Sequence, residues 1–427
     1  MDSKSKFKIN KIDAIIVVAL IIIAGIVLTK AGYMSPIPEE PKTSQPDEPL
    51  PPPPPLIPPA SLTSEYMGFM RAISPEDEGS HFNEINIHRE WWYFGATLNG
   101  EDCKLKDWTV SVSFNHMARG DLLGTLKPDL LVVTLNGPNG EKYGGLINKE
   151  RGLGLIKQPT LNSKTPGLSI EYEDSWAEGG APEWHIHAED NDIDKNHEIV
   201  VDLDYFSPSD PLWTIGERSL QKSESNIASY MFTGCDVTGT VKIDGIEYYV
   251  EGMGHHEHSW SPNIVTRGLI NGWDWCNMAL DNGWNIYFDN YYLAPQYLST
   301  KTTKINPFGS LVITADQGET LTVLDDIEFE ITKSDEKIFP FVKMPSEFSL
   351  TAKPSIIQPL LKTYNIELKL SIISENTCEK VWKIPTYVGM KIGMSKISGK
   401  ITWSDDEGDQ EVELNGIGNI WSMRALY

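Results

Sequence analysis

Residues 271–292 read NGWDWCNMALDNGWNIYFDNYY. Two runs rich in aromatic and branched side chains flank Asn282-Gly283, a dipeptide that favours the tight turns of β-hairpins. A two-residue turn there sets Asp281 across from Trp284, Met278 across from Tyr287, Cys276 across from Asp289 and Asp274 across from Tyr291. The six side chains of the last three pairs then share one face, and Trp273, Trp275, Ile286, Phe288 and Tyr292 fill the other as core. In that register Asp274 and Asp289 are diagonal neighbours, about 7–8 Å apart at the backbone. Among aromatic side chains, desolvation and the like charge would keep one of the two protonated.

The same period-two pattern extends outward along the chain. Val110, Val112, Phe114 and His116 alternate with Ser111, Ser113 and Asn115, and Ile327, Phe329 and Ile331 alternate with Glu328 and Glu330. Ile366, Leu368, Leu370 and Ile372 repeat it later. Such alternation predicts half-buried antiparallel strands. Turns are expected at Asp244-Gly245 and at the Asp405–Asp409 tip. No long helical period follows residue 60, so the predicted head is all-β, built of barrels or sandwiches. Pro262 and Asn263 interrupt the pattern and divide the head into β domains over 61–261 and 262–427.

The chain has 427 residues, 40% of them hydrophobic, enough for two cores of ordinary size. Its formal charge of −24 excludes nucleic acid as a partner, because phosphate recognition needs a basic face, and it disfavours docking on anionic lipid. Residues 1–12 carry Lys4, Lys6, Lys8 and Lys11, and an unbroken apolar run covers Ala14–Leu28. With its flanks this run predicts a transmembrane signal anchor over 13–34, N-terminus in the cytoplasm and head on the extracytoplasmic side of the cell membrane. A cleaved signal peptide is the alternative, but no small-x-small site follows the run. Residues 35–60 hold 12 of the 28 prolines and read as an extended polyproline stalk. The four cysteines, Cys103, Cys235, Cys276 and Cys378, form no Cys-x-x-Cys pair, which excludes a zinc ribbon. They are either disulfide-bonded or four buried thiols.

The densest polar stretch is Gly254 to Trp260, GHHEHSW. As a strand it places His256, His258 and Trp260 on one face and His255, Glu257 and Ser259 on the other. His256 and His258 could ligate zinc with His88 or His116 as a third donor, but the HExxH signature is absent. The favoured reading is catalytic or substrate-contacting histidine with no metal. The run Arg89 to Gly95, REWWYFG, reads as a buried strand in which Glu90 is unusual and Arg89 its candidate partner.

Glu90-Trp91-Trp92-Tyr93, the His256–Trp260 segment and Gly272-Trp273-Asp274-Trp275 together resemble the carotenoid 1,2-hydratase (hydroxyneurosporene synthase) superfamily, over roughly residues 75–427. Glu257 and Ser259 replace the commoner Asp and Asn of that segment. The resemblance implies two tandem lipocalin-like antiparallel β-barrel domains with a ligand cavity at or near their junction. It also implies acid-catalysed addition of water to a C=C bond of an isoprenoid or polyene lipid, without metal or organic cofactor. In this reading Asp289 protonates the alkene, and Trp260 and Tyr287 stabilise the cation. His258 activates water, and Asp274, His256, Trp92 and His116 line the substrate site. Two other uses of such a cavity are a cyclase of the Diels–Alderase kind and a non-catalytic lipid carrier.

Overall fold

Strand-forming sequence between tight turns becomes two antiparallel sheets in the computed structural model. It describes residues 73–82, 89–100, 103–117, 129–147, 161–164, 166–191, 196–209, 211–215, 228–261, 270–293, 310–315, 320–324, 326–335, 344–354, 365–382, 387–405 and 408–426. The first sheet contains β1 (Arg89–Leu98), β2 (Trp108–Met117), β3 (Leu130–Asn136), β4 (Lys142–Ile147), β5 (Asn162–Ser163), β6 (Leu168–Tyr172), β7 (Ser175–Gly180), β8 (Glu183–Asn191), β9 (Glu198–Phe206), β10 (Leu212–Ile215), β11 (Ala228–Ile243) and β12 (Ile246–Ser261). The second contains β13 (Ile270–Leu280), β14 (Asn285–Leu293), β15 (Ser310–Thr314), β16 (Thr320–Leu324), β17 (Asp326–Asp335), β18 (Met344–Lys353), β19 (Glu367–Trp382), β20 (Tyr387–Asp405) and β21 (Gly408–Leu426).

Both sheets are wound alike. A four-stranded meander, β1–β4 or β13–β16, is followed by strands that return until the last one, β12 or β21, pairs with the first, β1 or β13. Pairing first with last strand curls each sheet, and the two are barrel-like, one nearly closed and one a half-barrel. The Asp244-Gly245 turn forms as expected, with both residues at positive φ (50° and 81°) and Ile243 paired with Ile246. Among the described residues the only helix is α1 (Pro75–Glu78), one turn closed by a Ser74–Asp77 capping box. No helix among the described residues is long and apolar enough to cross a membrane, and the expected anchor (13–34) and stalk (35–60) lie outside them.

Three apolar clusters follow from the alternation. One fills the first sheet around Trp92, Phe94, Trp184 and Tyr205. A second fills the second sheet around Met278, Phe288, Phe329 and Trp403. The third lies between the sheets and joins Tyr93, Leu130 and Met231 to Trp275, Tyr287 and Trp421. This third layer changes the expectation of half-buried strands. In β2 the Ser111, Ser113 and Asn115 face is buried as completely as the Val110, Val112 and Phe114 face, because it packs toward the second sheet. All four cysteines are buried free thiols.

Candidate functional site

The β13–β14 hairpin carries one residue more in its loop than a two-residue turn. Leu280 pairs with Trp284, and Asp281, Asn282 and Gly283 form a three-residue loop with Gly283 at φ 83°. Asn282 Oδ1 accepts the Trp284 amide at 3.1 Å. A left-handed glycine at the end of a three-residue loop is the next commonest hairpin solution, and here it moves the register by one. Met278 therefore opposes Ile286, Cys276 opposes Phe288, Trp275 opposes Asp289 and Asp274 opposes Asn290. The slip separates the expected carboxylate pair. Asp289 and Tyr287 face the first sheet beside Trp275, whereas Asp274 points into the second sheet and receives Arg424 Nη2 at 2.8 Å.

On β12 the expected alternation holds. His256, His258 and Trp260 enter the first barrel, and His255, Glu257 and Ser259 face the second sheet. Within the barrel His258 Nε2 lies 2.8 Å from Glu90 Oε1, stacked on Trp92. Its Nδ1 lies 3.1 Å from the Tyr230 hydroxyl and 3.0 Å from the Asp77 carbonyl. Burial, with His81 and His256 nearby, pushes His258 well below the usual histidine range. Residues 73–82 plug this chamber: Glu90 accepts the backbone amides of His81 (2.9 Å) and Phe82 (2.7 Å). Glu78 accepts Ala181 N (2.8 Å) and Trp184 Nε1 (3.1 Å), and His81 stacks on Trp260 at 4.0 Å. Arg89 is not the partner of Glu90, because adjacent residues of a strand face opposite ways. His116 sits against Asp129 at 3.0 Å in the same barrel, under the Phe82 ring. Trp92, His116, His256, His258 and Trp260 are thus brought together, but apart from Tyr287 and Asp289.

The other face of β12 holds a group that the sequence reading left without a role. Glu257 is buried between the sheets, and its carboxylate accepts three hydrogen bonds: Trp91 Nε1 (3.2 Å), Ser259 Oγ (2.9 Å) and, from the second sheet, Trp275 Nε1 (2.8 Å). Desolvation raises its pKa above the usual range, and these donors only partly oppose that. Around it Tyr93 meets Trp275 edge-on at 4.7 Å and stacks on His255 at 5.0 Å. Trp275 in turn meets Tyr287 at 6.0 Å. Tyr93 bonds Ser111 Oγ at 2.6 Å, and Ser111 donates to Asn419 of β21 at 3.0 Å. A buried carboxyl held by indole N–H groups, with aromatic faces alongside, can deliver a proton to an apolar ligand and shield the cation that results. The alternation that put Glu257 opposite His258 was the available signal for it. Among the described residues no three His, Cys, Asp or Glu side chains stand together as a metal cage.

No protein family and no curated protein sequence matches the chain. Solved structures do. Kievitone hydratase from Nectria haematococca is similar with a TM-score of 0.53 at 11% identity, covering 87% of this chain and 98% of that one. The chain shares that hydratase's fold. An AttH protein from Nitrosomonas europaea (TM-score 0.49, 15% identity, 82% and 96% covered) and CghA with Sch210972 (0.47, 11%, 79% and 88%) are also similar. The kievitone hydratase likeness spans both sheets, as the motif resemblance implies for the fold.

Proposed function

We propose that this protein is a cofactor-independent hydro-lyase that adds water to a C=C bond of a hydrophobic small molecule held between the two sheets. The observation that carries the reading is Glu257, a buried carboxyl bridged by indole N–H groups from both sheets. The fold shared with a protein named as a hydratase supports it by analogy. Glu257 in its acid form gives its proton to one alkene carbon. The π faces of Trp91, Trp275 and Tyr287 stabilise the cation on the other, an effect of about 2 kcal/mol when desolvated. Water attacks that carbon, and Asp289, opposite Trp275, takes the proton released. Proton exchange with solvent then returns both carboxyls to their starting states. This arrangement moves the acid from Asp289 to Glu257, since Asp289 and His258 occupy different chambers. The substrate class is an isoprenoid or polyene, and the lysine-flanked apolar run anchors the head on the extracytoplasmic face of the membrane.

The test incubates the full chain in detergent with host lipid extract in ¹⁸O-labelled water, followed by mass spectrometry. A labelled hydroxyl in a product, reduced at least about 100-fold in Glu257→Gln, is expected. Labelling that survives Glu257→Gln removes Glu257 as the acid. An unlabelled isomer of the substrate would identify a cyclase, and a lipid retained without conversion a carrier.

A further inference from the structure

Trp275 and Trp421 oppose each other on neighbouring strands, and two residues along the same ladder Asn277 opposes Asn419. All four face the first sheet, yet their polar atoms fare differently. Trp275 donates to Glu257, and Asn419 donates to Val110 O at 3.0 Å and accepts from Ser111. The Trp421 indole N–H and the Asn277 amide nitrogen are buried and have no hydrogen-bond partner among the described residues. Trp421 is 7% and Asn277 5% exposed, so bulk water does not serve them. Being diagonal neighbours on one sheet face, they are close enough for both side chains to reach one atom. His255 Nε2, 1% exposed, is another buried polar atom with no hydrogen-bond partner among the described residues, on a ring 5.1 Å from Trp275.

Buried donors are paired in nearly all native structures, so two adjacent exceptions call for an acceptor that the described residues do not supply. A hydrocarbon cannot provide one. We infer that the ligand is an alkene that also carries an oxygen acceptor, a carbonyl or a hydroxyl, received by the Trp421 indole N–H and the Asn277 amide. The inference rests on the reading of this interface as the alkene-hydrating site. It narrows the substrate from plain polyenes to oxygenated ones. A site built to bond an oxygen rejects the analogue lacking it, because the donors are then left desolvated and unpaired.

The probes are geranylacetone, a ketone with two trisubstituted alkenes, and the hydrocarbon obtained by replacing its carbonyl with CH₂. Binding to the full chain is followed by tryptophan fluorescence in one detergent. The ketone should bind at least about tenfold more tightly than the hydrocarbon. Trp421→Phe, which removes the N–H and keeps an aromatic ring, should erase that preference by weakening the ketone alone. Asn277→Leu should reduce it in the same direction and serves if Trp421→Phe does not fold. Equal affinity for the two probes, binding of neither, or a preference that survives both substitutions overturns the inference, leaving the donors to buried water. The Glu257→Gln variant should keep the preference. A preference without ¹⁸O incorporation would therefore reject the hydratase and retain the recognition.

Discussion

The Trp275 indole N–H donates to Glu257 Oε2 over 2.8 Å, so the second sheet holds a carboxyl that grows from the first. A donor of this kind favours the ionised carboxylate and opposes the rise that desolvation imposes. Trp275→Phe should therefore raise the Glu257 pKa further. If the acid form drives the reaction, activity falls as the pH climbs through that pKa. The alkaline limb of the rate profile should then move to higher pH in Trp275→Phe. A pH series of kcat/KM on the two proteins checks the direction, and an unmoved limb would dissociate Glu257 from the profile.

Arg424 and Asp274 form a buried ion pair at 2.8 Å, with the guanidinium also donating to the Trp273 and Met423 carbonyls. Asp274→Ala leaves a buried cation short of its counter-charge and should cost about 3–5 kcal/mol in denaturant unfolding. Since Asp274 faces away from Glu257, a variant still folded at assay temperature should keep its pH profile.

Gly95 lies where Tyr93, His255 and Asn419 crowd together, and a methyl group there would run into all three. Gly95→Ala should cost about 1–3 kcal/mol by overpacking, read as a lower thermal midpoint. Gly245, whose missing Cβ would meet nothing, sits at φ 81° in a turn tip and fails for a different reason, backbone strain alone.

His255 and His256 are pushed down to about 3 from an ordinary 6.5, in both cases chiefly by burial. A histidine with a depressed folded pKa adds stability that is complete above 6.5 and is lost as the pH falls toward the folded value. The protein should start to lose stability below about pH 6.5, before most carboxylates titrate. Replacing His256 with Asn should flatten that slope, measured as the unfolding midpoint against pH.

Glu90 is the anchor of the plug, since its carboxylate takes the amides of His81 and Phe82 as well as His258. Glu90→Ala orphans the buried Phe82 N–H, at about 1–3 kcal/mol, and the half-buried His81 N–H at less. Limited proteolysis should then cut within 73–82, where the parent protein resists. Equal resistance in both proteins would mean that the plug is held by Glu78 and its partners alone.

Strand identity, hairpin tips and the two faces of Gly254–Trp260 were all legible in the sequence, because each depends on a two-residue period and local turn chemistry. The hairpin register was not. Asp281, Asn282 and Gly283 admit either a two- or a three-residue loop, and only the pairing of Leu280 with Trp284 decides between them. That single residue carried Asp274 to the far side of the sheet and dissolved the expected carboxylate pair. Glu257 was left without a role for another reason. A polar face reads as solvent-exposed, and nothing local in Ser111, Ser113 or Glu257 announces that a second sheet covers it.

β1 and β12 form a wall shared by two chambers, with even-numbered side chains on one side and odd-numbered ones on the other. Two side-chain clusters are thus written into one stretch of chain as interleaved messages, separated by parity alone. Point substitutions can alter one and leave the other legible. With the Ile243–Ile246 hairpin fixed, a single deletion between Gly254 and His256 would exchange them, sending Glu257 into the barrel and His258 out of it. This wall should therefore tolerate drift in residue identity far better than any change in length.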